Sequence, residues 1–258
     1  MKDIDDTRAP LLEHLVELRR RLLWSIAAIG LCFGVCFYFS DAIFGFLVRP
    51  LTHAFGPGQG RLVYTKLYEA FFVNVKVALF AAVFLAFPVI ATQLWAFVAP
   101  GLYAKEKRAF LPFIIATPVL FLMGASLAYF VVMPTAFHFF LGYQGTAGGL
   151  KQEALPAMGD YLALVMQFIL AFGIAFLMPV LLMLMERAGL VTRLQLKGAR
   201  RYAIVAAFII AAVFTPPDVV SQLMLAIPLI LLYEFTLIAI WFTERRRARE
   251  QQSETTAG

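Results

Sequence analysis

The stretch "HLVELRRRLLWSIAAIGLCFGVCFYF", residues 14–39, decides what kind of protein this is. Its second part, 22–39, holds no charged residue, and a run of roughly 20 apolar residues crosses the ~30 Å hydrocarbon core as a helix. The first part sets a carboxylate and three arginines directly in front of that run. A membrane anchor needs only the cations at its flank. Glu17, with Glu13 upstream, is what a plain anchor leaves unexplained.

The rest of the chain repeats the pattern. Its 258 residues are 62% hydrophobic and 15% charged, with a mean hydropathy of +0.81; a soluble domain is about half apolar. Apolar runs place spans at about 22–39, 70–91, 109–132, 160–184, 201–215 and 219–242. Backbone polar groups in lipid must bond to one another, which favours helices. The expectation is an all-α polytopic protein with six transmembrane helices, a single membrane domain over 1–242 and a flexible cytoplasmic tail over 243–258.

Lysine and arginine then sort by loop. Residues 1–21, 92–108 and 185–201 and the tail hold five, three, five and four, seventeen in all, against four (Arg49, Arg61, Lys66, Lys151) in the alternate loops. Positive residues stay inside, so both termini are expected in the cytoplasm. The formal net charge of +6 reads as topology and not as a nucleic-acid face, because the cations cluster at span ends. Cys32 and Cys36, four apart in the first span, suit helix packing and offer no zinc spacing. No cleavable signal peptide is expected, since acids precede the first span and no small-residue cleavage site follows it.

Of the outer loops, 40–69 carries Pro50 and "GPGQG", and 133–159 carries "GYQGTAGGL"; the two are candidates for an outer cap. "TPPD" (215–218) joins spans five and six tightly, and span five, with about 14 apolar residues or ~21 Å, falls short of the core thickness. Pro88, Pro112, Pro118, Pro179 and Pro228 can kink their helices.

On a helical projection Leu11, Leu12, Leu15, Val16, Leu18 and Leu22 share one face, while Glu13, Glu17, Arg20 and Arg21 share the other. That is an interfacial amphipathic helix leading into span one. Glu17 and Arg21 form an i,i+4 pair, a bland account of the glutamate worth ~0.5 kcal/mol or less. Arg19 falls within the apolar face, where it either snorkels or pins a neighbouring loop. The segment "QLWAFVAPGLYAKEKRAF" (93–110) keeps Glu106 among lysines, in a loop that topology requires to be positive. Asn74, Lys76, Gln167, Glu234, Asp218 and Gln222 are the deeper polar groups, which are costly in lipid and functional candidates by default. Asp218, after Pro216-Pro217, also reads simply as the cap of span six. No nucleophile–base pair, metal set or phosphate loop occurs, so neither an enzyme nor a bound cofactor is expected.

The segments "PLLEHLVELRRRLL", "QLWAFVAPGLYAKEKR", "AYFVVMPTAFHFF", "AFGIAFLMPV" and "FTPPDVVSQLMLAIPLILLYE", in this order over about 10–242, resemble the TatC family, the core receptor of the twin-arginine protein translocase. The resemblance implies a curved, glove-like six-span fold in the bacterial plasma (inner) membrane, with both termini inside. It implies a receptor for twin-arginine signal peptides of folded proteins, with single-span TatA/TatB-type subunits as partners and several copies in the assembled complex. By the same resemblance Glu17, Glu106 and Phe97 belong to the signal-peptide site, while Arg19, Pro50, Asp218 and Gln222 hold structural or coupling positions. The pattern departs at Leu177, where many relatives carry an acid; Gln167, about three turns earlier, is the expected partial substitute in contact with a partner's transmembrane helix. A secondary transporter of a small solute is the alternative. It calls for polar groups converging at mid-bilayer on broken helices, whereas the charges here gather at span ends.

Overall fold

The computed structural model describes residues 5–56, 60–64, 66–102, 111–147, 150–215 and 218–257. Helix α1 runs Asp5–Tyr38 without interruption, so the amphipathic segment and the first span are one rod of 34 residues, about 51 Å long at 1.5 Å per residue. Five stretches are long and apolar enough to cross a membrane: His14–Tyr38, Glu69–Phe97, Pro112–Leu141, Met158–Arg187 and Val219–Arg245. The remaining expected span forms a helix of only 15 residues, Arg200–Phe214, about 22 Å long.

The chain divides into two compact units, the first comprising 1–118 and 146–164. Here α1 lies along α3 (Glu69–Leu102). The seam is made by small residues: Ala78 and Ala82 are fully buried against Cys36, with Ile29, Cys32 and Phe33 around them. Short side chains let two helices approach closely, and in lipid it is such packing that holds them. Both cysteines, free thiols, pack in this seam, as their four-residue spacing suggested.

Between α1 and α3 the sequence led us to expect a loop over 40–69, and most of it is instead helix α2 (Ser40–Phe55). Its apolar residues recur at helical spacing, and Leu47, Pro50 and Leu51 are buried. Gly56, at φ +88°, ends the helix. Two polar ties fix α2: Asn74 Nδ2 donates to Asp41 Oδ1 at 3.1 Å, and the Tyr161 hydroxyl donates to the Leu47 carbonyl at 2.8 Å. Segment 60–64 bridges to the residues before α6 (Met158–Ala175), with Met158 N donating to Val63 O at 2.8 Å. Glu69 Oε1 accepts from Gly159 N at 2.9 Å, so the start of α3 is tied to the start of α6. Strands β1 (Gly145–Ala147) and β2 (Leu150–Gln152) form a short hairpin in the second of them.

The second unit comprises 119–145 and 165–258. Helix α4 (Leu111–Leu127) passes through a π-helical turn, Ala128–Val132, into α5 (Met133–Leu141), extending the third span beyond its expected end at 132. Pro134 cannot donate to the carbonyl four residues back, and a wider turn before it absorbs the mismatch. Two glycines set the approach of α4 to α6: a Cβ on Gly124 would stand 2.3 Å from the Phe172 carbonyl oxygen, and one on Gly173 2.7 Å from the Phe121 ring. Residues 176–177 break the fourth span into α6 and α7 (Met178–Arg187), with Pro179 in the first turn of α7. A short α8 (Arg193–Gly198) opens on a capping box formed by Thr192 and Gln195. Helices α7, α8 and α9 (Arg200–Phe214) all pack on α10 (Val219–Ala257), and Tyr233 donates to the Leu196 carbonyl at 2.5 Å inside the cluster of Leu196, Leu237 and Ile240. The backbone of α10 is helical to Ala257, through residues where the sequence suggested a flexible end.

Candidate functional site

The i, i+3, i+7 spacing of His14, Glu17 and Arg21 sets all three on one face of α1. Glu17 Oε1 accepts two hydrogen bonds from the Arg21 guanidinium, from Nε at 3.0 Å and from Nη2. Glu17 Oε2 lies 3.9 Å from His14 Nδ1, and a third of the glutamate side chain remains exposed. The His14 imidazole stacks on Phe97 near the C-terminal end of α3, with ring centroids 4.2 Å apart and planes 16° from parallel. A carboxylate already shaped around a guanidinium thus sits beside two flat rings.

The end of α3 that carries Phe97 is held from below. Trp95 Nε1 donates to Thr117 Oγ1 on α4 at 2.7 Å, and that hydroxyl donates to the Phe113 carbonyl at 2.7 Å, all of it buried. The buried Trp95 indole N–H and Thr117 hydroxyl thus each have a partner, as burial demands.

The other residues singled out from sequence fall elsewhere. Arg19 is exposed on the opposite side of α1 from Glu17, among the exposed Leu15, Leu22 and Ile26. Glu106 lies outside the described residues. Pro50 is buried within α2, and no ligand-facing role is visible for it there. In the second unit, Asp218 caps α10: its Oδ2 accepts from Ser221 N at 2.7 Å, the arrangement expected of an N-cap. Its Oδ1 and the Ser221 hydroxyl are buried without partners among the described residues. Gln222 Nε2 donates to the Phe208 carbonyl at 3.3 Å, linking α10 to α9. Gln167 is exposed on α6, and Leu177 is half-buried in the break before α7.

The His14–Phe97 stack was not anticipated, although the spacing of His14 from Glu17 offered a signal; nothing local announced that Phe97 would meet it across two helices. Equally unanticipated was Glu69 as the clamp between the starts of α3 and α6. Among the described residues no group of three or more histidines, cysteines or acids is placed to hold a metal ion.

Comparison with known proteins follows the same lines. Residues 13–228 match the family model described as Sec-independent protein translocase protein (TatC). A Sec-independent protein translocase protein TatC of Magnetococcus marinus is 50% identical over 249 residues, covering 96% of this chain and 90% of that one. Its counterpart in Desulforapulum autotrophicum is 43% identical over 250 residues, covering 96% and 91%. The crystal structure of a twin arginine translocase receptor, TatC, in the detergent DDM superposes with a TM-score of 0.77 at 40% identity, covering 88% of this chain and 98% of that one.

Proposed function

The chain belongs to the TatC family of Sec-independent protein translocases, a multi-pass membrane component of protein transport, and from that membership we propose that it is the receptor for twin-arginine signal peptides. The observation that carries the reading is Glu17: its carboxylate takes two guanidinium nitrogens of Arg21 while a third of its surface stays open beside the Phe97 and His14 rings. Arginine's planar fork makes two parallel charge-assisted bonds to such a group and stacks on flat rings, whereas lysine offers a point charge. One arginine of an incoming peptide exchanges with Arg21 on Glu17, and the second engages Glu106.

The apolar part of the peptide then follows α1 into the membrane. Leu15, Val16, Leu22, Leu23 and Ile26 are all exposed along that helix. In this reading the charged end of α1 and both termini face the cytoplasm of a bacterium, and the membrane is its plasma membrane. Single-span TatA/TatB-type subunits assemble on the second unit, with exposed Gln167 making a polar contact in place of the missing acid at Leu177, and several copies of the chain join the complex.

The deciding experiment measures binding of a twin-arginine signal peptide to the purified protein against a twin-lysine version, with Glu17→Ala and Glu106→Ala variants alongside. We expect the arginine preference to fall at least tenfold in each variant. Equal binding of both peptides, unchanged in the variants, would move recognition off these carboxylates.

A further inference from the structure

A second charged cluster lies at the basic end of α10 and takes no part in the site above. Arg193 and Lys197 of α8 and Arg200 at the start of α9 face Leu237, Ile238 and Trp241 of α10 across an open hollow of about 350 Å³. Trp241 stands near the end of the apolar span Val219–Arg245, the depth at which indole rings mark a membrane–water boundary. The Arg245 guanidinium lies 3.9 Å over the Trp241 ring and that of Arg193 5.9 Å from it.

Charge in this cluster is unbalanced. Arg200 is bonded to Glu234 at 2.7 Å and Arg193 to Glu244 at 3.5 Å. Lys197 has no acidic partner among the described residues and is exposed. Among the described residues three cations line the hollow, Arg193, Lys197 and Arg200, and a fourth, Arg245, stands over the Trp241 ring, against two carboxylates. Among the described residues a net positive charge of two is left at a membrane boundary with no carboxylate bonded to meet it.

The floor of the hollow is hydrocarbon, and it continues. Leu231, Phe235, Ile238 and Phe242, spaced by four, three and four residues, form one exposed apolar stripe that runs from the hollow along α10 into the span. A free anion would use only the cations. A phosphate carrying acyl chains would use both the cations and the stripe, and basic pockets between membrane helices hold such headgroups.

We propose that this hollow is a binding site for an anionic phospholipid, with the phosphodiester between Lys197, Arg193 and Arg200, the glycerol against Trp241, and an acyl chain along the α10 stripe. Lys197 supplies the unpaired charge and the specificity for a net-negative headgroup; a zwitterionic lipid brings its own ammonium into a cluster that is already cationic. The site belongs to the membrane-embedded chain as such and does not depend on signal-peptide recognition.

The test is native mass spectrometry of the full-length protein released from micelles containing equimolar dioleoyl-phosphatidylglycerol and dioleoyl-phosphatidylcholine. The wild type should retain phosphatidylglycerol at least fivefold over phosphatidylcholine. Lys197→Gln should abolish the preference, Lys197→Arg should keep it, and Arg245→Gln should weaken it severalfold. Arg201→Gln removes the same charge at the same end, but Arg201 stacks on Tyr202 and does not line the hollow, so it should leave retention unchanged. Equal retention of both lipids, or equal losses in Lys197→Gln and Arg201→Gln, would reduce the cluster to a topology signal and overturn the proposal. Displacement of the lipid by an equal concentration of free glycerol phosphate would overturn it too, in favour of a soluble anion. Each variant is compared only where it elutes as a single species with wild-type thermal stability in detergent alone.

Discussion

Under the proposed function Arg21 occupies the carboxylate that an arginine-bearing peptide needs, which makes it an internal competitor. The pair is partly exposed, and an i,i+4 pair is worth about 0.5 kcal/mol and is screened by salt. Arg21→Gln should therefore raise the affinity of a twin-arginine peptide by roughly twofold, measured by fluorescence anisotropy at low ionic strength; a fall in affinity would show that Arg21 holds the glutamate in place for the ligand. A second residue-scale prediction concerns the support of the site. In Thr117→Val the shape is kept, but the Trp95 indole N–H loses its acceptor while still buried. Leaving such a donor unpaired costs about 1–3 kcal/mol, so thermal unfolding in detergent should shift to lower temperature, and peptide binding should weaken as the Phe97 end of α3 loosens. Legibility at this scale was uneven. Glu17 stood out in sequence because a carboxylate among arginines has no use in a plain anchor. The Trp95–Thr117 bond joins residues 22 apart on two helices, and neither residue type announces such a partner in an apolar run.

Elements were read best where hydropathy alone decides and worst where it does not. The five long spans follow from composition, and the shortness of α9 was visible as an apolar run too brief for the bilayer. Helix α2 was missed because Pro50 and "GPGQG" both suggest a loop, yet the apolar spacing of Leu47 and Leu51 buries a helix face and Pro50 is accommodated inside it. At the end of α10, "ERRRAREQQSE" is polar and suggests a flexible tail, and its residues, mostly good helix formers, continue the helix. Helix approach carries its own prediction. Because a Cβ at Gly124 meets the Phe172 backbone oxygen, Gly124→Ala forces α4 and α6 apart; overpacking of this kind costs about 1–3 kcal/mol. The clash at Gly173 is with the Phe121 ring, a side chain that can be shortened. Thermal unfolding should show both Gly124→Ala and Gly173→Ala destabilised, with Phe121→Leu partly rescuing only the second.

For the whole molecule the sequence speaks most clearly through charge, since seventeen of twenty-two lysines and arginines fall in the termini and alternate loops of the expected six-span arrangement. That asymmetry predicts an orientation through the cost of moving cations across lipid, independently of how the helices pack. It was readable without any tertiary information, whereas the division of the chain into two compact units depends on contacts between residues far apart in sequence. The orientation has a direct test in single cysteines. The native thiols are an obstacle that the fold helps remove: Cys32 and Cys36 sit in the α1–α3 seam beside Ala78 and Ala82, so replacement of both by alanine costs little volume and leaves a background free of thiols. Gln144→Cys, exposed beside the β1–β2 hairpin, and Ser253→Cys, near the end of α10, then report on opposite sides. With a membrane-impermeant maleimide added to intact spheroplasts, the cysteine at 144 should label at once and the one at 253 only after lysis. Labelling of both before lysis, or of 253 alone, would break the charge argument, and with it the assignment of Glu17 and Glu106 to the face from which a cytoplasmic signal peptide arrives.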